Sequence, residues 1–273
     1  MATGNVDQQQ EPLLTFDGFG TDDENDPDAM SLVDHLEELR WRIFKCLIAV
    51  VVFSIVAFIF RSFLLDFLSA PLPPHFNPLL TGSKKFIVTD ITGGFTAYLL
   101  ISIAVGIVGS LPVLLYQTWA FIAPGLYERE KKYAVPFIFI GIALFIAGIS
   151  VGYIVIRFPV EWLISFASSD FVPLITANSY FTFAALFILA FGVVFELPLV
   201  ITFMAKIGIV NVDTLKKKRP VAHVGMWIAA TFLTPGADLY SPIILGVCMS
   251  VLYELTIIFI RFAIKDETQS EVA

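Results

Sequence analysis

Phe181–Met204 reads FTFAALFILAFGVVFELPLVITFM, two dozen residues in which Glu196 is the only ionisable side chain. A run of about 20 apolar residues is long enough to cross the ~30 Å hydrocarbon core of a bilayer as a helix. An acid inside such a run is tolerated where it faces a bundle interior or a wet cavity rather than lipid, which makes Glu196 a functional candidate. Similar runs recur on both sides of it, at Ile43–Phe67, Phe95–Ala123, Tyr133–Ile156, Val221–Thr234 and Leu239–Ile260, with the central one extending over Tyr180–Ile207. The chain has 273 residues, 57% apolar and 15% charged, with a mean hydropathy of +0.82. Soluble domains carry about a quarter charged residues. The fold class expected is therefore an all-α integral membrane protein of six transmembrane helices. The connections leave no room for a separate soluble domain.

Charge sets the orientation. Six spans put both termini on one side, and that side carries 13 of the 17 Lys and Arg residues. Only Arg61, Lys84, Lys85 and Arg157 fall opposite, so the positive-inside rule puts both termini in the cytoplasm. The net charge of −7 comes largely from an N-terminal stretch with no Lys or Arg before Arg40. Residues 1–30 read as a disordered acidic tail, residues 31–262 as the transmembrane domain and residues 263–273 as a second cytoplasmic tail. The tail has neither the basic start of a secretory signal nor an Arg-rich transit character. A multi-pass protein of a plasma (inner) membrane is expected.

Two further shape expectations follow. The outward connections Leu68–Gly94 and Arg157–Ser179 are long enough to hold short helices that cap the outer face. Between Arg219-Pro220 and Pro235-Gly236 only some 14 residues can be helical, ~21 Å against ~30 Å of hydrocarbon. The bundle should be concave and thinner where short helices five and six lie.

Cys46 and Cys248 fall within apolar runs and read as small packing residues. The three histidines lack ligand spacing, no Gly-rich phosphate loop is present, and no nucleophile–base set can be assembled. An enzyme is not expected, nor a cofactor, a metal or a nucleic-acid partner.

Two segments at the cytoplasmic rim carry recognition chemistry. In Ser31–Arg42, SLVDHLEELRWR, Ser31 and Asp34 approximate a capping box. Leu32, Leu36, Leu39 and Ile43 share one helical face. Glu37, Glu38, Arg40 and Arg42 could pair simply with one another and with lipid. In Tyr116–Lys132, YQTWAFIAPGLYEREKK, Glu128 and Glu130 stand among Arg129, Lys131 and Lys132, where they could simply temper a basic patch.

HLEELRWR (35–42), YQTWAFIAPGLYEREKK (116–132), FGVVFELP (191–198), KKKRP (216–220) and LTPGAD (233–238) resemble, in order and orientation, the corresponding blocks of the TatC family. The resemblance runs from about Asp34 to Phe262. That family is the multi-spanning receptor of the twin-arginine protein translocase. The resemblance implies binding of signal peptides with a consecutive arginine pair at the cytoplasmic face. It also implies assembly with single-span Tat partners (TatA/TatB type) and with further receptor copies. Folded cargo would then be exported using the proton-motive force.

By position it assigns peptide binding to Glu38, Arg40, Phe121 and Glu130. It assigns intramembrane partner contact and translocation to Glu196 and Asp238, and structural roles to Pro71 and Pro124. Guanidinium pairs suit this chemistry, because they stay charged and favour planar carboxylate acceptors. The chain departs from the family at Ser241-Pro242, where a Ser/Thr-Gln pair is usual, and at Cys248, where a proline is common.

For Glu196 three situations are possible: a hydrogen bond from a partner helix, an internal bond to a hydroxyl, or an inert protonated acid. Glu196, Asp238 and an internal echo at an offset of 86 residues, Phe95-Thr96 and Leu111-Pro112 against Phe181-Thr182 and Leu197-Pro198, motivate the alternative function, a proton-coupled secondary transporter.

Overall fold

The computed structural model describes residues 32–73, 86–122, 134–167, 171, 174–236 and 238–270. These form α1 (Leu32–Ile59), α2 (Arg61–Ser69), α3 (Gly93–Ile122), α4 (Ala134–Val155), α5 (Arg157–Ala167), α6 (Ala177–Val194), α7 (Leu197–Lys206), α8 (Val212–Lys217), α9 (Arg219–Leu233) and α10 (Tyr240–Ser270). Five stretches are long and apolar enough to cross a membrane: Asp34–Ile59, Gly93–Ile122, Val135–Ala167, Ala177–Lys206 and Tyr240–Phe262. The acidic segment 1–30 lies outside the described residues.

Two helices break where the sequence reads as continuous, and a third break falls where the sequence already ends its span. The first expected span, Ile43–Phe67, ends at Ile59, and the chain turns at Phe60 (φ −92°, ψ 16°) into the separate helix α2. Arg61 and Asp66 make the reason plain, since their charges favour an interface over hydrocarbon. The third breaks at Ile156, and α5 occupies the Arg157–Ser179 connection, as its length suggested. The run around Glu196 breaks at Phe195-Glu196, because Pro198 lacks an N–H and its ring would clash with the carbonyl of Val194.

Of the two helices expected to be short, one is. α9 has 15 residues, ~22 Å long at 1.5 Å per residue, and stops at Thr234 before Pro235. α10 instead runs 31 residues, well past the expected end at Ile260, because IRFAIKDETQS contains neither Gly nor Pro to stop it.

The core is centred on α6, where Phe181, Phe187 and Phe191 are fully buried with Ile101 of α3 and Leu245 of α10. α6 packs against α3 and α4, α1 against α3, and α9 and α7 against α10. The outer face of α1 is apolar and exposed, with Leu36 at 65% and Ile48 at 62%, as a lipid-facing helix requires.

Glycines set the two tightest crossings. A Cβ on Gly106 would stand 2.1 Å from the Ser54 hydroxyl oxygen, and one on Gly148 would stand 2.6 Å from the Phe191 carbonyl oxygen. Helices in lipid associate through such close backbone approach.

The end of α2 is tied to the start of α6 and to the end of α4. Tyr180 Oη donates to the Leu68 carbonyl and Tyr153 Oη to the Phe67 carbonyl, each at 2.7 Å. A helix C-terminus leaves such carbonyls short of intrahelical donors, and the Phe67 carbonyl also accepts from the Ala70 N–H. Pro71, half-buried, follows in the turn after α2. Among the described residues a single parallel bridge pairs Ile87 with Thr176.

Candidate functional site

At the start of α1, Glu38 lies one turn before Arg42, and the two form an i,i+4 ion pair. Arg42 Nε donates to Glu38 Oε1 at 2.9 Å, and Arg42 Nη2 donates to the same oxygen. Arg42 Nη1 reaches across to α3 and donates to Gln117 Oε1 at 3.1 Å. Gln117 is 8% exposed, so this amide is a buried anchor rather than a surface contact. One turn further along α3, Phe121 stacks on His35, with centroids 4.3 Å apart and planes at 14°. His35 Nδ1 in turn stands 3.7 Å from Glu38 Oε2, beyond hydrogen-bond distance. That oxygen is buried and accepts no hydrogen bond among the described residues.

The fold therefore brings Glu38 and Phe121 into one cluster, with His35, Arg42 and Gln117 completing it. Sequence reasoning assigned Arg40 there. Arg40 is exposed, with its guanidinium 5.8 Å from the Phe44 ring, and it is Arg42 that meets Glu38. The Glu38/Arg42 spacing was the available signal for that pair. Gln117 gave none. Pro124, Glu128 and Glu130 lie outside the described residues.

Glu196 sits at the kink between α6 and α7, half-buried, and lines a cavity of about 210 Å³ with Thr118, Trp119, Phe137 and Phe203. The three aromatic rings pack on one another, with Trp119 and Phe203 centroids 4.9 Å apart. Glu196 Oε1 is buried without a hydrogen-bond partner among the described residues, and no internal hydroxyl bond to Glu196 is seen there. The last turns of α3 thus serve two places. Gln117 and Phe121 face the Glu38 cluster, while Thr118 and Trp119 face Glu196.

Asp238 caps a helix. Its Oδ1 accepts from the Ser241 backbone N–H at 2.6 Å in the first turn of α10. An Asp N-cap contributes about 1 kcal/mol over alanine. Asp238→Ala is expected to lower stability by that amount and Asp238→Asn by much less, measured by thermal unfolding in detergent.

A second network was not legible in the sequence. Arg219 Nη2 bonds Glu254 Oε2 at 2.8 Å, His223 Nε2 lies 3.2 Å from Glu254 Oε1, and His223 Nδ1 lies 3.1 Å from Ser250 Oγ. It laces short α9 to α10. Glu254 is the shared acceptor of this lacing.

The family model described as Sec-independent protein translocase protein (TatC) matches residues 34–247. The chain belongs to the TatC family. Its TatC relatives include those of Desulforapulum autotrophicum, 37% identical over 242 residues and 88% of each chain, and Escherichia coli K12, 35% identical over 237 residues covering 86% of this chain and 90% of that one. A crystal structure described as the Twin Arginine Translocase Receptor TatC superposes with a TM-score of 0.71 at 28% identity, over 84% of this chain and 99% of that one. As a TatC-family chain it is a membrane subunit of a protein-transport system and not an enzyme.

Proposed function

We propose that this chain is the receptor subunit of a twin-arginine translocase, binding Arg-Arg signal peptides at the cytoplasmic face. It assembles there with single-span TatA/TatB-type partners and further copies of itself, and folded cargo crosses at the expense of the proton-motive force. In this reading α9 is the short fifth of six spans, both termini are cytoplasmic, and residues 31–262 form the transmembrane domain. The thirteen-to-four distribution of Lys and Arg supports that topology.

The observation that carries the reading is the buried Oε2 of Glu38, which has no hydrogen-bond partner among the described residues and lies next to the His35–Phe121 stack, in a chain of this family. A buried acceptor without a donor is costly. A guanidinium on a visiting peptide would satisfy it with a charge-assisted hydrogen bond. Glu130, in the segment between α3 and α4, is the second acid of this proposal, and Arg40 at the rim and Pro124 in the same segment complete it.

The test is photocrosslinking from a probe placed beside the Arg-Arg pair of a signal peptide. Labelling is expected within the Glu38 and Glu130 segments and is expected to drop strongly for a Lys-Lys peptide. Equal labelling by the two peptides would overturn the proposal.

Glu196 serves a different step, accepting a hydrogen bond from a polar side chain of a partner helix inside the bilayer. Glu196→Ala is expected to reduce co-purification of the single-span partners at least severalfold while peptide binding stays within twofold, since a hydrogen bond to a charged group contributes about 1.5–3 kcal/mol. Loss of peptide binding would place its role elsewhere.

A further inference from the structure

The geometry of Arg42 adds a component to the receptor reading above, on which it rests. A guanidinium facing a carboxylate ordinarily forms a two-pronged contact using both oxygens. Here both Arg42 donors, Nε and Nη2, converge on Oε1 of Glu38, and the remaining side of the guanidinium is held by Gln117 Oε1 at 3.1 Å. Gln117 comes from α3, 75 residues away, and is buried, so it fixes the guanidinium from a second element. The consequence falls on the other oxygen. Oε2 turns away from Arg42 toward the His35 ring, buried and unpaired among the described residues.

We infer that Arg42, anchored by Gln117, is a positioning residue that holds Glu38 by one oxygen and presents the other to the incoming guanidinium. Arg42 stays in place when the peptide binds. It also supplies the counter-charge that lets a carboxylate stand 21% exposed beside an aromatic stack, where an unpaired charge would be expensive. The peptide then meets a carboxylate whose rotation is already restricted, so less freedom is lost on binding. Selectivity follows from the same restriction. A planar donor meets the single fixed oxygen edge-on once the His35 ring beside that buried oxygen gives way. An ammonium gains less there, because its donors are not confined to a plane. With Arg42 gone the carboxylate turns freely and offers both oxygens to either ligand.

A contrary role would leave the same static contact. Arg42 could be an internal competitor that the visiting arginine displaces, and the two roles predict opposite signs. The experiment measures binding of fluorescent Arg-Arg and Lys-Lys signal peptides to the full-length chain in lipid nanodiscs. Arg42→Gln is expected to weaken Arg-Arg binding about tenfold and to narrow the preference over Lys-Lys. Gln117→Leu keeps both charges and removes only the anchor. It is expected to move both readouts the same way by about threefold, and it carries the test if Arg42→Gln does not fold.

Tighter binding in either variant would show a displaced competitor and overturn the inference, as would unchanged affinity. A Glu38→Gln arm separates the two levels. If it weakens binding while the Arg42 and Gln117 variants bind as wild type, only the positioning role falls. If Glu38→Gln itself binds as wild type, the receptor reading falls with it.

Discussion

Gly106→Leu is expected to abolish accumulation of the folded protein, and Gly106→Ala to destabilise it by more than about 3 kcal/mol, above the usual cost of overpacking. The reason lies in what stands opposite. A Cβ at this position would meet not only the movable Ser54 hydroxyl at 2.1 Å but also the Ser54 backbone N at 2.8 Å and Cα at 2.9 Å. Backbone cannot swing aside, so the whole α1–α3 crossing would have to open. That crossing carries the Glu38 cluster, since Glu38 and Arg42 ride on α1 while Gln117 and Phe121 ride on α3. Ser54→Ala removes the hydroxyl but not the backbone obstacle, and it should rescue little. Gly225 of α9 has no atom within 4 Å of its would-be Cβ. Gly225→Ala should be neutral or stabilising by up to about 1 kcal/mol, the helix-propensity difference. Thermal unfolding in detergent, read by size-exclusion fluorescence, checks all four variants.

Glu38→Gln is expected to weaken binding of an Arg-Arg signal peptide by about 10- to 100-fold, because a hydrogen bond to a charged group contributes about 1.5–3 kcal/mol. The glutamine retains the volume and an amide oxygen, so Arg42 keeps an acceptor and the α1–α3 contact survives. What is lost is the negative charge at Oε2. Stability should change by well under the binding effect, since Glu38 and Arg42 are partly exposed, at 21% and 19%, and such pairs contribute little when screened by solvent. Equilibrium binding in nanodiscs and a melting curve on the same preparation separate the two effects.

How much of this could be read in advance depended on the range of the interaction. Apolar runs of about 20 residues exposed the long helices, and Pro220 and Pro235 bounded the short α9, because these are local signals. The break at Phe60 was hidden, since the apolar pattern continues through Phe63-Leu64-Leu65 and only Arg61 and Asp66 hint at an interface. The membrane stretch of α10, Tyr240–Phe262, ends close to the expected Ile260, and the helix itself runs on because hydropathy marks where a helix leaves the membrane, not where it stops. Its last turns are polar yet lack any breaker.

The site shows the same division. The Glu38–Arg42 pair is an i,i+4 contact present in the sequence itself. Gln117, 75 residues distant, and the His223–Glu254 contact, 31 residues apart, depend on helices meeting in three dimensions. Asp238, assigned to partner contact from its family position, also caps the head of a helix, a use that its place three residues before Ser241 offered. Glu196 stood out at once as an acid in hydrocarbon, and the structure adds the kink at Pro198 and the aromatic cavity beside it.

The claim at the centre is that anionic Glu38 contacts the peptide's arginine side chain directly. A double-mutant cycle measures this without assigning the whole affinity to one contact. Wild type and Glu38→Gln are each titrated with a signal peptide bearing Arg-Arg and with one in which a single arginine is glutamine. A direct contact predicts a coupling energy of about 1.5–3 kcal/mol for one of the two arginines. Coupling near zero for both, with each single change still weakening binding, would contradict the account.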